Sequence, residues 1–299
     1  MPLLGPLVAY LPTPRSRDGE VDDASLTALA DLADRAVLAG VDGIALLGST
    51  GGFAYLDRAA RRRVVQVGVE AVCARVPVVV GVGALTTREV LVLAQDAQEA
   101  GVSALLLPTT SYLPLLDDEV LELYRTVGEH AEVPVWAYHN PVTTRVALSL
   151  EMLCTLARTP GIGGIKDRGV DADEVRRRAR YLGDRVPAGI EIGFSGDGHG
   201  YAGLLEGAST WHSGLAGVLP GPYTAVARAA ASQDPAAAQA AMAPLEPVVG
   251  LALASGGPRV VHLVGEILGL RLGALPPPLL PPSAPVRAEL ERLLGVLGG

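Results

Sequence analysis

The sequence almost lacks lysine. Arginine supplies 23 of the 24 basic side chains in 299 residues, and Lys166 is the only lysine. A bias towards arginine wherever charge alone is needed accounts for the arginines but not for this exception. Arginine stays protonated and cannot act as an amine nucleophile, whereas lysine can once burial or neighbouring charges lower its pKa from about 10.4. Lys166 is therefore a candidate for amine chemistry, with chance survival as the alternative.

Cysteines are few, and metal-ligand spacing is missing. Cys73 and Cys154 lie far apart in apolar helical segments, which is typical of buried thiols rather than of a disulfide framework or a metal site. The five histidines show no metal-ligand spacing, and only His199 is a candidate for a pocket. The sequence thus predicts neither a metal nor a cofactor.

Long basic tracts and long uncharged apolar runs are also missing. The net charge is −8, and the short tracts Arg61–Arg63 and Arg176–Arg178 lie in helix-like segments, which argues against nucleic-acid binding. No uncharged run approaches the roughly 20 apolar residues of a membrane helix. The first 14 residues hold four prolines and no basic leader, which makes a poor signal peptide. We expect a soluble cytoplasmic protein without a membrane partner.

Short β-rich runs alternate with longer amphipathic segments along the chain. Several of these runs are continuously apolar, as expected for parallel strands covered on both faces. The predicted strands are Leu7–Leu11, Gly43–Leu47, Val76–Val82, Ala104–Pro108, Val133–Tyr138, Ile162–Lys166, Ile190–Phe194 and Thr210–Ser213. Helical segments follow at 22–37, 57–74, 87–100, 117–131, 149–158, 171–182, 199–207 and 221–232.

Eight strand–helix units predict an α/β fold, a (β/α)₈ TIM barrel, with an open doubly wound sheet as the rival. Residues 233–270 and 284–297 also have helical patterns, and the proline-rich stretch 275–285 is best interpreted as a rigid surface connection between them. We therefore expect a barrel domain over residues 1–224 and a C-terminal helical extension over residues 225–299.

Polar residues gather where four of the predicted strands end, which is where barrels of this kind carry their chemistry. The sequence GSTGG follows the second strand at 48–52, and Tyr138 to Pro141 close the fifth. Lys166-Asp167 end the sixth strand, and residues 195–199, SGDGH, follow the seventh.

Each of these features has a plainer structural explanation when taken alone. The GSTGG loop suits a carboxylate or phosphate but is equally consistent with a tight turn. Tyr138 by itself is more often a packed aromatic residue with its hydroxyl at the rim. His139 and Asp167 alternate with Tyr138 and Lys166, so they should face the surrounding helices, and Asp167 is a doubtful partner for the amine.

Together the features predict a Schiff-base site. The amine of Lys166 attacks the ketone of a 2-oxo acid, the loop at 48–51 holds the carboxylate, and Tyr138 moves protons during the making or breaking of the carbon–carbon bond. The iminium is the electron sink, so this chemistry requires no metal.

These motifs resemble the dihydrodipicolinate synthase/N-acetylneuraminate lyase family of pyruvate-dependent class I aldolases. The resemblance runs from about Val8 to Pro282, and its order and spacing are more specific than any single motif. Its landmarks are Thr13-Pro14, the G-[ST]-T-G loop at 48–51, Tyr-x-x-Pro at 138–141, G-[IV]-K at 164–166 and S-G-D at 195–197.

The resemblance implies a (β/α)₈ barrel with a C-terminal helical extension, assembled as a homotetramer, a dimer of dimers. It implies Lys166 as the Schiff-base lysine and Tyr138 as the proton relay, with a small-molecule 2-oxo acid as substrate. The residues expected to bind that substrate are Gly48, Ser49, Thr50, Gly51, Tyr112, Thr143 and Ser195.

Three positions depart from the family pattern. Gly52 stands where the loop usually ends in glutamate, and Thr143 stands where synthases carry an arginine that grips the carboxylate of the aldehyde substrate; Arg145 lies two residues further on. Synthases also carry adjacent tyrosines after the fourth strand, whereas here only Tyr112 remains. These changes argue against the lysine-pathway synthase itself. They favour a lyase or hydratase-aldolase for another 2-oxo acid, one with a less acidic aldehyde portion.

The alternatives are a dihydrodipicolinate synthase or a 2-oxo acid dehydratase of the same family, a catalytically silent ligand-binding barrel, and a pyridoxal-phosphate enzyme. The silent barrel predicts that Lys166 is replaceable, and the retention of the single lysine argues against it. The pyridoxal-phosphate enzyme would need a phosphate cup and would absorb near 400 nm.

Overall fold

Eight parallel strands close into a barrel in the order of the sequence, with β8 hydrogen-bonded to β1. The computed structural model describes residues 2–297. The strands are β1 Leu7–Tyr10, β2 Gly43–Leu46, β3 Val78–Gly81, β4 Ala104–Pro108, β5 Val135–Tyr138, β6 Ile162–Arg168, β7 Glu191–Ser195 and β8 Thr210–Ser213. The prediction of a TIM barrel is confirmed, and the open sheet is excluded because the sheet has no free edge.

Helices cover the outside of the barrel. They are α1 Asp23–Leu38, α2 Arg58–Val72, α3 Thr87–Glu99, α4 Asp117–His130, α5 Pro141–Thr144, α6 Leu150–Leu156, α7 Ala172–Gly183 and α8 Pro220–Ala231. The helix of the seventh unit, Gly200–Glu206, is a 3-10 helix. Local signals set several ends: Asp22 caps α1 by accepting from the amide of Ser25, and Gly40 follows that helix with a φ of 82°.

The C-terminal extension consists of α9 Pro235–Met242, α10 Glu246–Ser255, α11 Gly257–Ile267 and α12 Ala284–Leu297. The eighth barrel helix runs to Ala231, so the expected boundary at residue 224 falls inside α8. The helical pattern over 233–270 is interrupted at Gly256, whose φ of 92° ends α10 and begins α11.

One helical run, Pro235–Ser255, is long and apolar enough to cross a membrane by length and composition alone. The run is broken by a 3-10 turn at Ala243–Leu245 and carries Glu246. Met242, Leu245 and Val248 are almost fully buried within the protein. Such a helix is weak evidence for a membrane span, since core helices of globular proteins share these properties.

Two apolar cores follow from the alternation of side chains along the strands. The larger lies between the strands and the helices, and the smaller fills the barrel interior. The interior core consists of Leu4, Val8, Tyr10, Ala45, Val79, Ala104, Leu106, Trp136 and Tyr138. Gly164 is required here because a Cβ at this position would lie 2.4 Å from the Trp136 indole. Gly164, two residues before Lys166 on the same strand, therefore makes room inside the barrel below the lysine.

Candidate active site

Lys166 projects into the mouth of the barrel from β6 and is only 4% exposed. Its Nζ lies 3.7 Å from the centroid of the Tyr138 ring and 4.5 Å from that of Tyr10. Burial is the main cause that lowers the pKa of this amine from its usual value. The two ring faces still favour the ammonium form, so the site balances both protonation states of the lysine.

Tyr138 is the direct register partner of Lys166 on the neighbouring strand β5. Its hydroxyl lies 3.2 Å from Ser49 Oγ and accepts a hydrogen bond of 3.2 Å from Asn140 Nδ2. Burial alone would raise the pKa of this phenol, but the positive charge of Lys166 and the hydrogen bonds outweigh it and lower the pKa. The tyrosine is thus poised to release a proton beside an amine, which is what a proton relay requires.

Aromatic and imidazole rings form the floor below the lysine. The Tyr10 hydroxyl lies 3.1 Å from His212 Nδ1, and the Trp136 and His212 rings meet edge to face at 5.4 Å. Burial lowers the pKa of His212 well below its usual value, and the charge of Lys166 adds to this. A neutral imidazole and two aromatic rings keep the base of the site poorly solvated.

The loop after β2 takes an unusual backbone path that brings Ser49 and Thr50 to the site. Leu47 has a φ of 54°, in the left-handed region that non-glycine residues seldom adopt. Ser49, Thr50 and Gly51 line the mouth. Gly48, expected among the substrate-binding residues, lines no cavity there. A Cβ on Gly48 would lie 2.6 Å from the Tyr10 ring, so the residue serves the packing of that ring.

The loop after β7 supplies the opposite wall. Ser195 is buried and donates to the backbone oxygen of Asp167 at 3.2 Å. Asp197 Oδ1 accepts from Ser213 Oγ at 2.6 Å and from the amides of Gly214 and Leu215 at 2.8 and 3.1 Å. That carboxylate therefore holds the loops after β7 and β8 together.

Two adjoining cavities open at this end of the barrel and share Ser49, Thr50, Tyr138, Thr143 and Pro258. The first, here called the lysine cavity, measures about 330 Å³. Its polar lining consists of Tyr10, Ser49, Thr50, Tyr138, Asn140, Thr143, Lys166, Arg168, Ser195, Asp197, His199 and His212. The second, here called the side chamber, measures about 320 Å³ and extends over Gly52 towards Arg15 and His262. Both volumes suit small molecules.

One expected residue, Tyr112, and the nearby Arg145, whose role the sequence left open, lie elsewhere within one chain. Tyr112 is 91% exposed in the loop between β4 and α4 and lines neither cavity. Arg145 is exposed at the end of α5 and also lines neither cavity. Thr143 does lie at the mouth, as the spacing from Tyr138 predicts.

Asp167 and His139 point away from the site, as strand alternation predicts. Asp167 is fully buried behind β6. It accepts from Arg178 Nε at 2.7 Å and lies 2.7 Å from His139 Nδ1. It therefore ties β6 to β5 and α7 and is no partner of the Lys166 amine.

Several residues at the mouth escaped the sequence analysis. Tyr10, Asn140, Arg168 and His212 all line the lysine cavity. Strand alternation could have predicted Arg168, because this residue lies two positions beyond Lys166 on the same face of the strand. His199 lines the same cavity as expected, and its Nε2 lies 3.0 Å from the backbone oxygen of Gly169.

Within residues 2–297 no group of three or more His, Cys, Asp or Glu side chains is arranged to hold a metal ion. Both cysteines are free thiols; Cys154 is buried as expected, whereas Cys73 is exposed where α2 ends, so the expectation of a buried thiol is wrong at that position.

Comparisons with known proteins agree on the family and the fold. A sequence model described as the dihydrodipicolinate synthetase family matches residues 3–296. A 4-hydroxy-tetrahydrodipicolinate synthase of Leptothrix cholodnii is 30% identical over 297 residues, 99% of each chain. The crystal structure of a dihydrodipicolinate synthase from Agrobacterium tumefaciens has a TM-score of 0.93 at 35% identity, with 98% of each chain covered. The chloride-inhibited dihydrodipicolinate synthase of Acinetobacter baumannii, complexed with pyruvate, has a TM-score of 0.90 at 26% identity, with 99% of each chain covered.

The family match spans nearly the whole chain, and the closed eight-stranded barrel agrees with the fold of the solved structures that it resembles. The chain therefore belongs to the dihydrodipicolinate synthetase family, whose members are lyases of the class I aldolase type.

Proposed function

We propose that the protein is a Schiff-base-forming lyase that acts on pyruvate or a related 2-oxo acid through Lys166. The observation that carries this proposal is the position of Nζ, buried at the barrel mouth and 3.7 Å from the centroid of the Tyr138 ring. The relative from A. baumannii binds pyruvate, which supports the same class of substrate here.

In the first half of the reaction the neutral amine of Lys166 attacks C2 of the 2-oxo acid and forms a carbinolamine. Tyr138 donates a proton to the C2 hydroxyl, which departs as water and leaves an iminium on Nζ. Ser49, Thr50 and Gly51 line the mouth, and their hydroxyl and amide groups would donate hydrogen bonds to the substrate carboxylate. The lowered pKa of Lys166 favours this half because it raises the fraction of free amine.

In the second half the iminium takes up the electron pair of a breaking bond. For a 4-hydroxy-2-oxo acid, the Tyr138 phenolate accepts the proton of the C4 hydroxyl and the C3–C4 bond breaks. An aldehyde leaves and an enamine remains, which is protonated at C3 and then hydrolysed to free pyruvate and amine. Loss of the C4 hydroxyl as water after deprotonation at C3 would make the enzyme a dehydratase instead.

The residue at position 143 argues against the lysine-pathway synthase. A threonine hydroxyl offers one hydrogen bond and no charge, whereas an arginine grips a carboxylate with two charge-assisted bonds. Dihydrodipicolinate synthase and 2-oxo acid dehydratase remain the alternatives within the family.

We further propose a cytoplasmic homotetramer, a dimer of dimers, without cofactor, nucleic-acid or membrane partner. Tyr112, Leu113 and Leu116 are 91%, 68% and 70% exposed in the single chain, and an interface over this loop would cover them. Sedimentation velocity at micromolar concentration is expected to give a tetramer, and a monomer would remove this part of the proposal.

Turnover tests the function. A panel of 4-hydroxy-2-oxo acids is incubated with the protein, and released pyruvate and lost water are followed by coupled assay and mass spectrometry. Release of pyruvate identifies an aldolase and loss of 18 mass units a dehydratase. Lys166→Arg should abolish either activity. Activity that survives Lys166→Arg, or a panel that is wholly unreactive, would contradict the proposal and favour a ligand-binding barrel.

A further inference from the structure

Arg168 is a cation in the lysine cavity with no assigned role. Strand β6 continues past Lys166 to Arg168, and alternation turns Asp167 outward and Arg168 inward. Consecutive strand residues rise about 3.3 Å each, so the two cationic residues start about 6.6 Å apart along one face. Arg168 is half-buried at that point.

Arg168 is the one guanidinium that lines the lysine cavity in the part of the chain the structure describes. Arg15, in the side chamber, donates to the backbone oxygens of Gly19, Tyr55 and Gly52 at 3.1 to 3.4 Å and is thereby occupied. Arg168, by contrast, forms no side-chain hydrogen bond or ion pair with any of residues 2–297.

The nearby acidic group is already engaged. Asp197 also lines the lysine cavity, but its Oδ1 receives three hydrogen bonds from the β8 end, and it forms no ion pair with Arg168. After burial and the contacts with Tyr138, the positive charge of Arg168 is among the causes that set the pKa of Lys166, so its charge reaches the reacting amine. A half-buried guanidinium without a partner presents its donors to whatever fills the cavity.

We propose that Arg168 determines substrate specificity by binding a distal carboxylate of the 2-oxo acid that is joined to Lys166. The inference rests on the proposed function and refines it: the substrate is a 2-oxo diacid, with one carboxylate at the loop after β2 and the other at Arg168. Taken alone, the threonine at position 143 indicates a substrate whose distal portion is less acidic. Arg168 reverses that expectation, because it supplies a second place in the cavity where a distal carboxylate can bind. The carboxylate is held from β6 rather than from the loop after β5.

Reductive trapping of matched pairs of 2-oxo acids tests this proposal. Each pair has the same carbon number and differs only in the terminal carboxylate: 2-oxoglutarate and 2-oxopentanoate, 2-oxoadipate and 2-oxohexanoate, 2-oxopimelate and 2-oxoheptanoate. The concentration that gives half-maximal trapping by borohydride is measured for each acid. In the pair whose chain length fits the cavity best, the half-maximal concentration of the diacid should be about 10- to 100-fold lower than that of the monoacid, as expected for charge-assisted hydrogen bonds to arginine.

Variants separate the role of Arg168 from folding. Arg168→Gln should remove the preference for the diacid within each pair. Because the charge of Arg168 also helps to lower the pKa of Lys166, its loss should shift the trapping of pyruvate, the monoacids and the diacids alike, so the ratio within a pair is the readout, and continued trapping of pyruvate shows that the site is intact. Arg168→Lys should keep part of the preference, because the charge remains but the bidentate geometry is lost. Arg145→Gln is the matched control and should behave as the original protein, since Arg145 lines neither cavity.

Equal half-maximal concentrations within every pair, or a preference that persists in Arg168→Gln, would overturn the inference and leave the Schiff-base function standing. A protein that traps no 2-oxo acid at all, pyruvate included, would instead refute the proposed function, and the inference would fall with it.

Discussion

Lys166 and Tyr138 are direct register partners on adjacent strands, and the lysine Nζ lies 3.7 Å from the centroid of the tyrosine ring. The two residues are distant in sequence, and the parallel pairing of β5 with β6 brings them together. Because the amine and the phenol share one buried volume, the charge on one alters the proton affinity of the other.

Replacement of Tyr138 by phenylalanine should slow imine formation by about 10²- to 10⁴-fold, the usual contribution of a general acid–base group. The ring remains beside Nζ, but the hydroxyl that contacts Ser49 and Asn140 is lost. The rate is measured by quenching with borohydride at increasing times. Tyr181→Phe, which removes an exposed hydroxyl bonded to Glu151, is the control and should react normally. A normal rate in Tyr138→Phe would assign the proton transfer to another group.

Condensation of pyruvate with aspartate semialdehyde should be about 10- to 100-fold slower than in ordinary family synthases. The reason is the missing guanidinium at Thr143, since a charge-assisted pair contributes roughly 1.5–3 kcal/mol; the carboxylate that Arg168 is proposed to bind is held from β6 and thus at a different place in the cavity. The condensation rate is measured in an assay coupled to the next enzyme of the lysine pathway. Should turnover match that of the synthases, Thr143 would not be decisive, and Arg168→Gln and Arg145→Gln would reveal which arginine replaces it.

The rate of imine formation should rise with pH as Lys166 loses its proton, reach a maximum below pH 10.5, the usual pKa of a lysine side chain, and fall where Tyr138 loses the proton that it donates. Burial disfavours the ammonium form, so the free amine predominates at a lower pH than in solution. The same sign holds for stability: the folded protein binds this proton less tightly than the unfolded chain, so the contribution of Lys166 to the free energy of unfolding increases with pH up to 10.5. The trapping rate is measured from pH 6 to 11 with buffers of constant ionic strength, and a rate that still rises above pH 10.5 would contradict the lowered pKa of Lys166.

Asp167 should matter for stability rather than for chemistry. Asp167→Ala leaves the largely buried guanidinium of Arg178 with only Glu174, at 3.7 Å, as an acidic partner, and breaking the buried ion pair should cost up to about 3–5 kcal/mol. Urea unfolding measures the loss. Asp23→Ala, which breaks an exposed pair with Arg63, is the control and should cost less than about 1 kcal/mol. Folded Asp167→Ala protein should still trap pyruvate; complete loss of trapping in folded protein would place Asp167 in the reaction.

Much of this fold could be predicted because the barrel repeats one simple unit. Apolar runs such as Ile162–Lys166, followed by capped amphipathic helices, define strands and helices locally, and eight repeats indicate closure. The outward direction of His139 and Asp167 followed from alternation alone. The single lysine was visible because the background contains only arginine.

The parts that escaped prediction depend on closure or on the ends of elements. Tyr10 and His212 lie on the first and last strands and reach Lys166 only because β1 pairs with β8. Strand β6 was expected to end at Lys166, and its extension to Arg168 changes that residue from a loop cation into part of the cavity wall. Tyr112 was assigned to the site by resemblance, and within one chain it is exposed to solvent. The direction of this side chain could not be predicted, because the loop between β4 and α4 has no repeating pattern of buried and exposed residues.

The most direct test of the central role of Lys166 is the intact mass of the protein after incubation with pyruvate and sodium borohydride. Since the chain holds one lysine, a single adduct of about 72 mass units should form, as expected for a reduced pyruvate imine. Peptide mapping should locate it at Lys166, with the N-terminal amine as the only competing site, and Lys166→Arg should abolish it. An unmodified protein under these conditions, across pyruvate and longer 2-oxo acids, would contradict the Schiff-base mechanism.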